Sequence, residues 1–342
     1  MDKKLALLAA LCALAGVSLD ALGGRLVTKT YPPGVYEGSR ERRYQVYVPD
    51  NYRPGTPVPM VMVLHGCRQT EQNMINETRF RQLADRDTFI VVYPFITSFD
   101  GLRNTNCWGF FLNQHTHEGA GEPEDLYQIG LAVESEFSID PNRRYITGLS
   151  SGAGMAVVMA VVQSEYFAAA GAAAGLPYSE TSSSVGFVCS NPGSFRSVEA
   201  VVAAIRAEQR AADEGRTVPM MTVHSNNDCT VNRQGGVNIR DSWLRRYGAS
   251  PAPYESTDCT TEGVSCAHLK FGAPGRSVVE TVFYEGERGG FTGEGSHYWV
   301  GDNRGEFANP NGPSASELFW SFFQRHPFTD NAPPTITIAA AS

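Results

Sequence analysis

From Tyr44 onward, apolar strand-like runs alternate along the chain with segments of helical spacing. Nearly continuous apolar runs are typical of strands that are covered on both faces of a sheet. These runs are YQVYVP, VPMVMVLHG, TFIVVYP, RRYITGL, VPMMTVHS and SVVETVFYEG, and AHLKF is also strand-like. Segments with helical spacing separate them, at residues 73–86, 126–137, 153–163, 197–214, around Trp243 and at 315–324. The alternation predicts an α/β fold, with a mostly parallel central sheet and helices on both faces.

Two long segments interrupt this alternation, at residues 98–123 and 179–195. Long loops over a parallel sheet either shape a binding site or are simply flexible. We expect these two segments to shape a site.

The two ends of the chain differ from its middle. Residues 1–21 contain Lys3 and Lys4, an apolar run of 13 residues and then small residues, a pattern typical of a secretory signal peptide. A membrane-spanning helix needs about 20 apolar residues, so we expect cleavage and secretion to the periplasm or the exterior. Residues 22–329 form the expected catalytic domain. The Pro-rich tail at 330–342 is either a truncated linker or a frayed end.

Composition excludes some partners. The chain has 342 residues, is 42% hydrophobic and carries a formal charge of −8, with no basic run longer than the mixed RERR at Arg40 to Arg43. The chain therefore lacks the basic segments that bind nucleic acid or anionic membranes. We expect a monomer whose partner is an ester substrate, polymeric or oligomeric.

The cysteines point to an oxidising compartment. Six of the seven remain once Cys12 leaves with the signal peptide, and an even number in an exported protein favours disulfides. Six cysteines allow 15 pairings, and the sequence alone does not select one. Our hypothesis pairs Cys67 with Cys107, Cys189 with Cys229 and Cys259 with Cys266.

The segment Gly148-Leu149-Ser150-Ser151-Gly152 lies between a predicted strand and a predicted helix. G-x-S-x-G in this setting is the signature of a nucleophile elbow, in which only small residues fit the sharp turn and the serine hydroxyl is held out at the sheet edge. The following helix presents its N-terminal amides to a developing anion. The pattern predicts an α/β-hydrolase fold with Ser150 as nucleophile; the alternative is a turn without chemistry.

A serine needs a histidine base, oriented by a carboxylate, and in this topology the acid and then the histidine follow the serine along the chain. His297 lies in the Gly-rich GGFTGEGSHYWVG after the last predicted strand, whereas His268 lies in AHLKF and His326 follows the final helix. Asp228 directly follows the strand VPMMTV, whereas its rivals Asp241 and Asp258 lie on a helix and in a cysteine-bounded loop. We therefore predict His297 as base and Asp228 as acid. Their alternatives are a loop histidine and a turn aspartate.

The tetrahedral oxyanion of ester hydrolysis needs backbone donors. We assign one to the N–H of Ser151, directly after the nucleophile, and the other to the N–H of Cys67, in the loop after the strand VPMVMVL. A disulfide at Cys67 would brace this loop.

With LHGCRQ, GLSSGAGM, NNDCTV and GSHYW in this order, the chain resembles the esterase family of extracellular polyhydroxybutyrate depolymerases, which includes feruloyl and acetylxylan esterases. NCWGFF, GEPEDL and SIDPNRRYITGLS also look like family segments, and the resemblance extends from Tyr44 to Phe328. It implies the triad Ser150, Asp228 and His297. It also implies oxyanion amides from Cys67 and Ser151, and a Cys67–Cys107 disulfide.

Aromatic residues cluster near the expected cleft. Trp108, Tyr298 and Trp299 are candidate substrate-binding residues, together with Phe110 and Phe111, although such residues also fill ordinary cores. The histidines in HTHEG, at His115 and His117, could ligate a metal, but no third ligand has diagnostic spacing and we expect a polar loop.

These features predict a secreted serine carboxylic-ester hydrolase that needs neither a cofactor nor a metal. The leading substrate is a short-chain polyester such as polyhydroxybutyrate, and the alternative is feruloyl or acetyl groups on plant polysaccharide. A catalytically silent binding domain is the alternative from another class. The intact set of nucleophile, base, acid and oxyanion residues argues against it.

Overall fold

A computed structural model describes residues 23–96, 105–186, 188–211, 216–290 and 293–328. The expected signal peptide and Pro-rich tail lie outside the described residues. Of the helices in these ranges, none has the length and apolar character that crossing a bilayer requires.

Ten strands of the described residues form one central sheet. They are β1 Arg25–Tyr31, β2 Arg42–Val48, β3 Val58–Leu64, β4 Ile90–Pro94, β5 Ile139–Gly148, β6 Ala169–Ala173, β7 Met220–Ser225, β8 Glu255–Asp258, β9 Cys266–Ala273 and β10 Arg276–Tyr284. Their order across the sheet is β1-β2-β4-β3-β5-β6-β7-β10-β9-β8. The six strands from β4 to β10 in that order are parallel, and antiparallel pairs complete each edge. The predicted mostly parallel sheet is confirmed.

In the part of the chain that the structure describes, seven helices cover the sheet. They are α1 Glu71–Glu77, α2 Phe80–Asp87, α3 Gly121–Glu136, α4 Ser151–Val162, α5 Val198–Ala211, α6 Gln234–Tyr247 and α7 Ala315–Gln324. Shorter elements are 3-10 turns at Asn113–His115 and Ser182–Ser184, and the two-residue strands β11 Gly289–Gly290, β12 Ser296–His297, β13 Trp299–Val300 and β14 Ala308–Asn309.

The helices bury two separate apolar clusters, one on each face of the sheet. Helices α3, α4, α5 and α6 contribute to the first cluster, and α1, α2 and α7 to the second. Along β3, Met60 and Met62 belong to the first cluster, whereas Val61 and Val63 belong to the second, because successive side chains of a strand point to opposite faces. Helix α4 is buried all round, as its uniformly apolar sequence requires.

The helix predicted over 73–86 is two helices, α1 and α2. The break falls at Thr78, which has extended backbone angles, and at Arg79, whose N–H donates to Asp302 and Ser316 at 3.3 and 3.2 Å. These acceptors lie more than 200 residues further along the chain. A tertiary contact therefore ends a helix that local spacing would continue.

Three strands of the central sheet, β1, β6 and β8, were not predicted. Strand β6 has the sequence AAGAA, and alanine and glycine are depleted in strands. Its residues are small because α7 packs closely against it. A Cβ at Gly171 would lie 2.5 Å from a ring carbon of Phe319.

A buried charge network joins β9, β10 and the end of α7. The Glu280 carboxylate accepts hydrogen bonds from Arg325 at 2.8 and 2.9 Å and from Ser277 at 2.5 Å, and His268 lies 2.7 Å away. Burial raises the pKa of Glu280, but these hydrogen bonds outweigh it and lower the pKa to about 2. The network therefore stabilises the fold above the pKa of an unfolded glutamate. That stabilisation is lost as the pH falls through about 2.

We expect Glu280→Gln to lower the free energy of unfolding at pH 7 by about 3 kcal/mol, because the depressed pKa corresponds to that difference. Urea unfolding of the wild type and Glu280→Gln at pH 7, 4 and 3 would show the difference in their free energies of unfolding decreasing as the pH falls. Glu255→Gln is the control, since Glu255 pairs with Lys270 at the surface and surface pairs contribute little. A difference in free energy of unfolding between the wild type and Glu280→Gln that is constant with pH would contradict the prediction.

Candidate active site

Ser150 lies at a sharp turn between β5 and α4. Its backbone has φ +56° and ψ −118°, in the region that non-glycine residues rarely adopt. A Cβ at Gly152 would lie 2.4 Å from the carbonyl oxygen of His65, and one at Gly148 would lie 2.6 Å from the backbone of Gly152. No side chain fits at either glycine, so the local structure is the elbow that the pattern predicts.

Asp228 and His297 meet, although 69 residues separate them. His297 Nδ1 lies 2.7 Å from Asp228 Oδ2, and both residues are buried. The other oxygen, Asp228 Oδ1, accepts hydrogen bonds from the N–H groups of Thr230 and Val231, each at 2.9 Å. Because the carboxylate accepts from Nδ1, the unprotonated nitrogen of a neutral His297 ring is Nε2. The ring is therefore suited to take up a proton at Nε2.

A second contact ties the segments that carry these two residues. The hydroxyls of Ser225, at the end of β7, and Ser296, directly before His297, are hydrogen-bonded. Ser225 Oγ also accepts from the N–H of Asn227 at 3.0 Å, and the N–H of Ser296 donates to the Asn227 carbonyl at 3.3 Å. The sequence does not single out these serines, because nothing in it shows that residues 71 positions apart are neighbours.

The predicted nucleophile, base and oxyanion residues surround one cavity of about 340 Å³. Ser150, Ser151, Cys67 and His297 line it, whereas Asp228 reaches it through His297. Most of the remaining wall is apolar, and its apolar side chains are Phe110, Phe111, Leu149, Leu176, Val185 and Phe307. The two long loops contribute to this wall, as we expected from their length.

Cys67 lies in the loop after β3, and several bonds hold this loop. Cys67 forms a disulfide with Cys107. The N–H of Gly66 donates to the buried side chain of Gln69 at 2.6 Å, and Gln69 in turn donates to Glu77 at 3.3 Å. Sequence reasoning did not single out Gln69, although it is part of LHGCRQ. These contacts fix the backbone that presents the N–H of Cys67.

His65 supports the same loop as a neutral ring. Its Nε2 accepts from the N–H of Ile96 at 3.2 Å, so Nδ1 carries the proton and donates to the Gly66 carbonyl at 2.8 Å. Burial lowers the pKa of His65 to about 4. The ring therefore keeps this tautomer at neutral pH.

The prediction that Trp108, Tyr298 and Trp299 contact substrate is wrong for this structure. All three are buried, and none lines the cavity. Trp108 donates from its indole to the His65 carbonyl at 3.0 Å, Trp299 donates to Asp302 at 2.5 Å, and the Tyr298 hydroxyl accepts from the N–H of Glu287 at 2.9 Å. Large aromatic side chains with a polar group suit such supporting positions. Phe110, Phe111 and Phe307 line the cavity instead.

His115 and His117 have different partners. His115 Nδ1 accepts from the N–H of Glu122 at 3.1 Å, whereas His117 Nδ1 lies 2.6 Å from Glu208. Within the described ranges, no three His, Cys, Asp or Glu side chains are grouped so that they could hold a metal ion.

The structure contains the three disulfides of our hypothesis: Cys67–Cys107, Cys189–Cys229 and Cys259–Cys266. The disulfide Cys189–Cys229 joins the long segment at 179–195 to the residue that follows Asp228. That segment contributes Ser182 and Val185 to the cavity wall. Two of the three disulfides therefore connect loops around the site.

Residues 43–256 match the family described as Esterase PHB depolymerase. Since this stretch is more than half of the chain, the protein belongs to that family of carboxylic ester hydrolases. Its mostly parallel sheet with helices on both faces is the α/β-hydrolase fold.

Individual relatives carry two kinds of name. The chain is 34% identical over 232 residues to poly(3-hydroxyalkanoate) depolymerase C of Paucimonas lemoignei, covering 67% of this chain and 54% of that one. It is 29% identical over 224 residues to the probable acetylxylan esterase A of Aspergillus fumigatus, covering 63% and 58%. The chain thus spans less than two thirds of either relative. An acetyl xylan esterase structure from Aspergillus awamori shares the fold, with a TM-score of 0.65, 20% identity and coverage of 88% of this chain and 100% of that one.

We expect the Cys67→Ser/Cys107→Ser variant to lose about 4 kcal/mol of stability, because the disulfide spans 40 residues, and to lose at least about tenfold in kcat on a soluble short-chain aryl ester. The rate falls because the N–H of residue 67 is no longer held. Cys259→Ser/Cys266→Ser is the control: its bond spans 7 residues, so about 2 kcal/mol is lost and kcat stays unchanged. Equal kcat losses in the two variants, measured where both are folded, would contradict the role of the Cys67–Cys107 disulfide in holding the N–H of residue 67.

Proposed function

We propose that this protein is an exported serine esterase that hydrolyses a short-chain polyester of the polyhydroxybutyrate type. The observation that carries the proposal is the arrangement around the cavity. Ser150, held at a positive φ, and His297, 2.7 Å from Asp228, line the same space. Nucleophilic serine catalysis needs this combination of a hydroxyl at the substrate cavity, a base and an orienting carboxylate.

The reaction proceeds through an acyl-enzyme. Ser150 Oγ attacks the ester carbonyl while His297 Nε2 takes its proton, and Asp228 stabilises the imidazolium. The N–H groups of Cys67 and Ser151 donate to the tetrahedral oxyanion. The intermediate collapses as His297 returns the proton to the leaving alcohol. Water, deprotonated by His297, then attacks the acyl group and releases the acid and free Ser150.

The cavity and the relatives together support the polyester substrate. Phe110, Phe111, Leu176 and Val185 form an apolar wall, and each buried methylene or methyl group contributes about 0.8 kcal/mol to binding. Such a wall favours an acyl chain with methyl branches over a bare acetyl group. Of the two relatives described, the more similar in sequence is the poly(3-hydroxyalkanoate) depolymerase.

A second candidate is hydrolysis of acetyl or feruloyl esters on polysaccharide. The acetylxylan esterase relatives and the shared fold of the Aspergillus awamori enzyme support it. The aromatic side chains of the cavity wall would also suit a feruloyl ring.

Export is supported by the three disulfides, since such bonds persist in oxidising compartments. The signal-like sequence of residues 1–21 points the same way.

The test measures soluble product released from an amorphous polyhydroxybutyrate suspension by the purified protein, with Ser150→Ala as the blank. We expect hydroxybutyrate monomers or dimers from the wild type and a rate reduced at least about 10⁴-fold in the variant, since removal of the nucleophile leaves only residual catalysis.

The same preparation is assayed on a soluble aryl ester, acetylated xylan and a feruloylated oligosaccharide. Hydrolysis of the aryl ester without release from polyester would overturn the polyester substrate and favour the polysaccharide esters. Inertness toward every ester, with Ser150 unlabelled by a fluorophosphonate, would overturn the serine esterase itself.

A further inference from the structure

One buried histidine that the reaction scheme does not use lies against the acid. His224 is on β7, four residues before Asp228, and is completely buried. Its Nε2 lies 2.8 Å from the carbonyl oxygen of Val231. A carbonyl can only accept, so Nε2 carries the proton and donates. His224 therefore binds the residue at the far end of the turn that contains Asp228.

Val231 is held at both of its backbone polar groups. Its carbonyl accepts from His224, and its N–H donates to Asp228 Oδ1 at 2.9 Å. Asp228 Oδ2 remains for His297, at 2.7 Å. Thr230 and Val231 together orient the carboxylate through Oδ1, and His224 holds the backbone of Val231.

The His224 ring is neutral, with a defined tautomer. Burial lowers the pKa of His224; Asp228 and the Val231 carbonyl favour the charged form, whereas His297 and Arg233 oppose it. Its Nδ1 is buried without a hydrogen-bond partner, next to α6, where a Cβ at Gly236 would lie 2.9 Å away. A proton on Nδ1 would therefore have no acceptor, so the Nε2–H tautomer is retained.

His224 also contributes electrostatically. Its Nε2 lies 3.6 Å from Asp228 Oδ2, which is too long for a hydrogen bond but places the positive end of the N–H dipole beside the carboxylate. That oxygen is the one that faces His297. The histidine thus faces the carboxylate without competing for its hydrogen bond to His297.

We propose that His224 is a positioning residue of the hydrolase: through Val231 it holds the Asp228 carboxylate in the orientation that His297 requires. The proposal rests on the proposed function and deepens it. The alternative role is purely structural, in which the ring fills space between β7 and α6.

Two substitutions separate these roles. Glutamine at position 224 can place an N–H group near the position of Nε2, whereas leucine fills similar volume without a donor. We expect His224→Leu to lower kcat on a soluble aryl ester at least about tenfold with KM within about twofold, and His224→Gln to remain within about threefold of wild type. Thr222→Val, at another buried position of β7, is the control and leaves kcat unchanged. Equal kcat for the leucine and glutamine variants would overturn the proposal.

A double-mutant cycle with Asp228→Asn gives a readout that a structural role would not change. Asp228→Asn removes the carboxylate, so adding His224→Leu should change kcat by less than about twofold. Full additivity of the two losses would show that His224 acts independently of the acid and would overturn the proposal. If His224→Leu does not fold, His224→Met provides the apolar variant.

The wild type and Ser150→Ala are measured alongside. If the wild type is inert and unlabelled by a fluorophosphonate, the proposed function and the positioning role fall together. If the wild type is active and labelled, but His224→Leu matches it in kcat, only the positioning role is overturned.

Discussion

The close contact between the first turn of α4 and the end of β3 is the constraint on which the site depends. At Gly152 the backbones approach until a Cβ would lie 2.4 Å from the His65 carbonyl oxygen. This approach requires the left-handed backbone of Ser150 and brings the Ser150 turn against the loop that carries Cys67. One packing contact therefore places both the candidate nucleophile and the candidate oxyanion donors. Backbone strain of this kind persists only where the surrounding structure over-determines it, and the fully buried α4 provides that support.

The second half of the site comes from strands added on the other side of β5. Strand β7 pairs with β6 and β10, and its carboxyl end delivers Asp228 to the edge where β5 delivers Ser150. His297 arrives from the segment after β10. Its position depends on short polar contacts, namely the Ser225–Ser296 hydroxyl pair and the hydrogen bond to Asp228.

Asp302 extends this support beyond the site. Its buried carboxylate accepts from the Trp299 indole, from Ser314 and Ser316 at the start of α7, and from the N–H of Arg79 between α1 and α2. Burial raises the pKa of Asp302, while these donors oppose the shift. The segment that carries His297 is thereby joined to two helices on one face of the sheet. A single buried carboxylate satisfies donors from three segments, one of which, at Arg79, lies 223 residues earlier in the chain.

The sequence by itself determined most of the strands and helices and the order of the candidate catalytic residues. Continuous apolar runs predicted the buried parallel strands, and G-x-S-x-G predicted the turn at Ser150, because both depend on local sterics and on burial of neighbouring residues. The acid and base candidates followed from chain order. Only the tertiary structure decided which distant residues contact one another. Contacts of Arg79 with Asp302 and Ser316 end the helix at that point, and Trp108 and Trp299 are buried and donate hydrogen bonds to His65 and Asp302, respectively. The tertiary structure also placed His224 beside Asp228. Local patterns carry no information about such contacts, because each joins groups whose proximity arises only when the sheet is assembled.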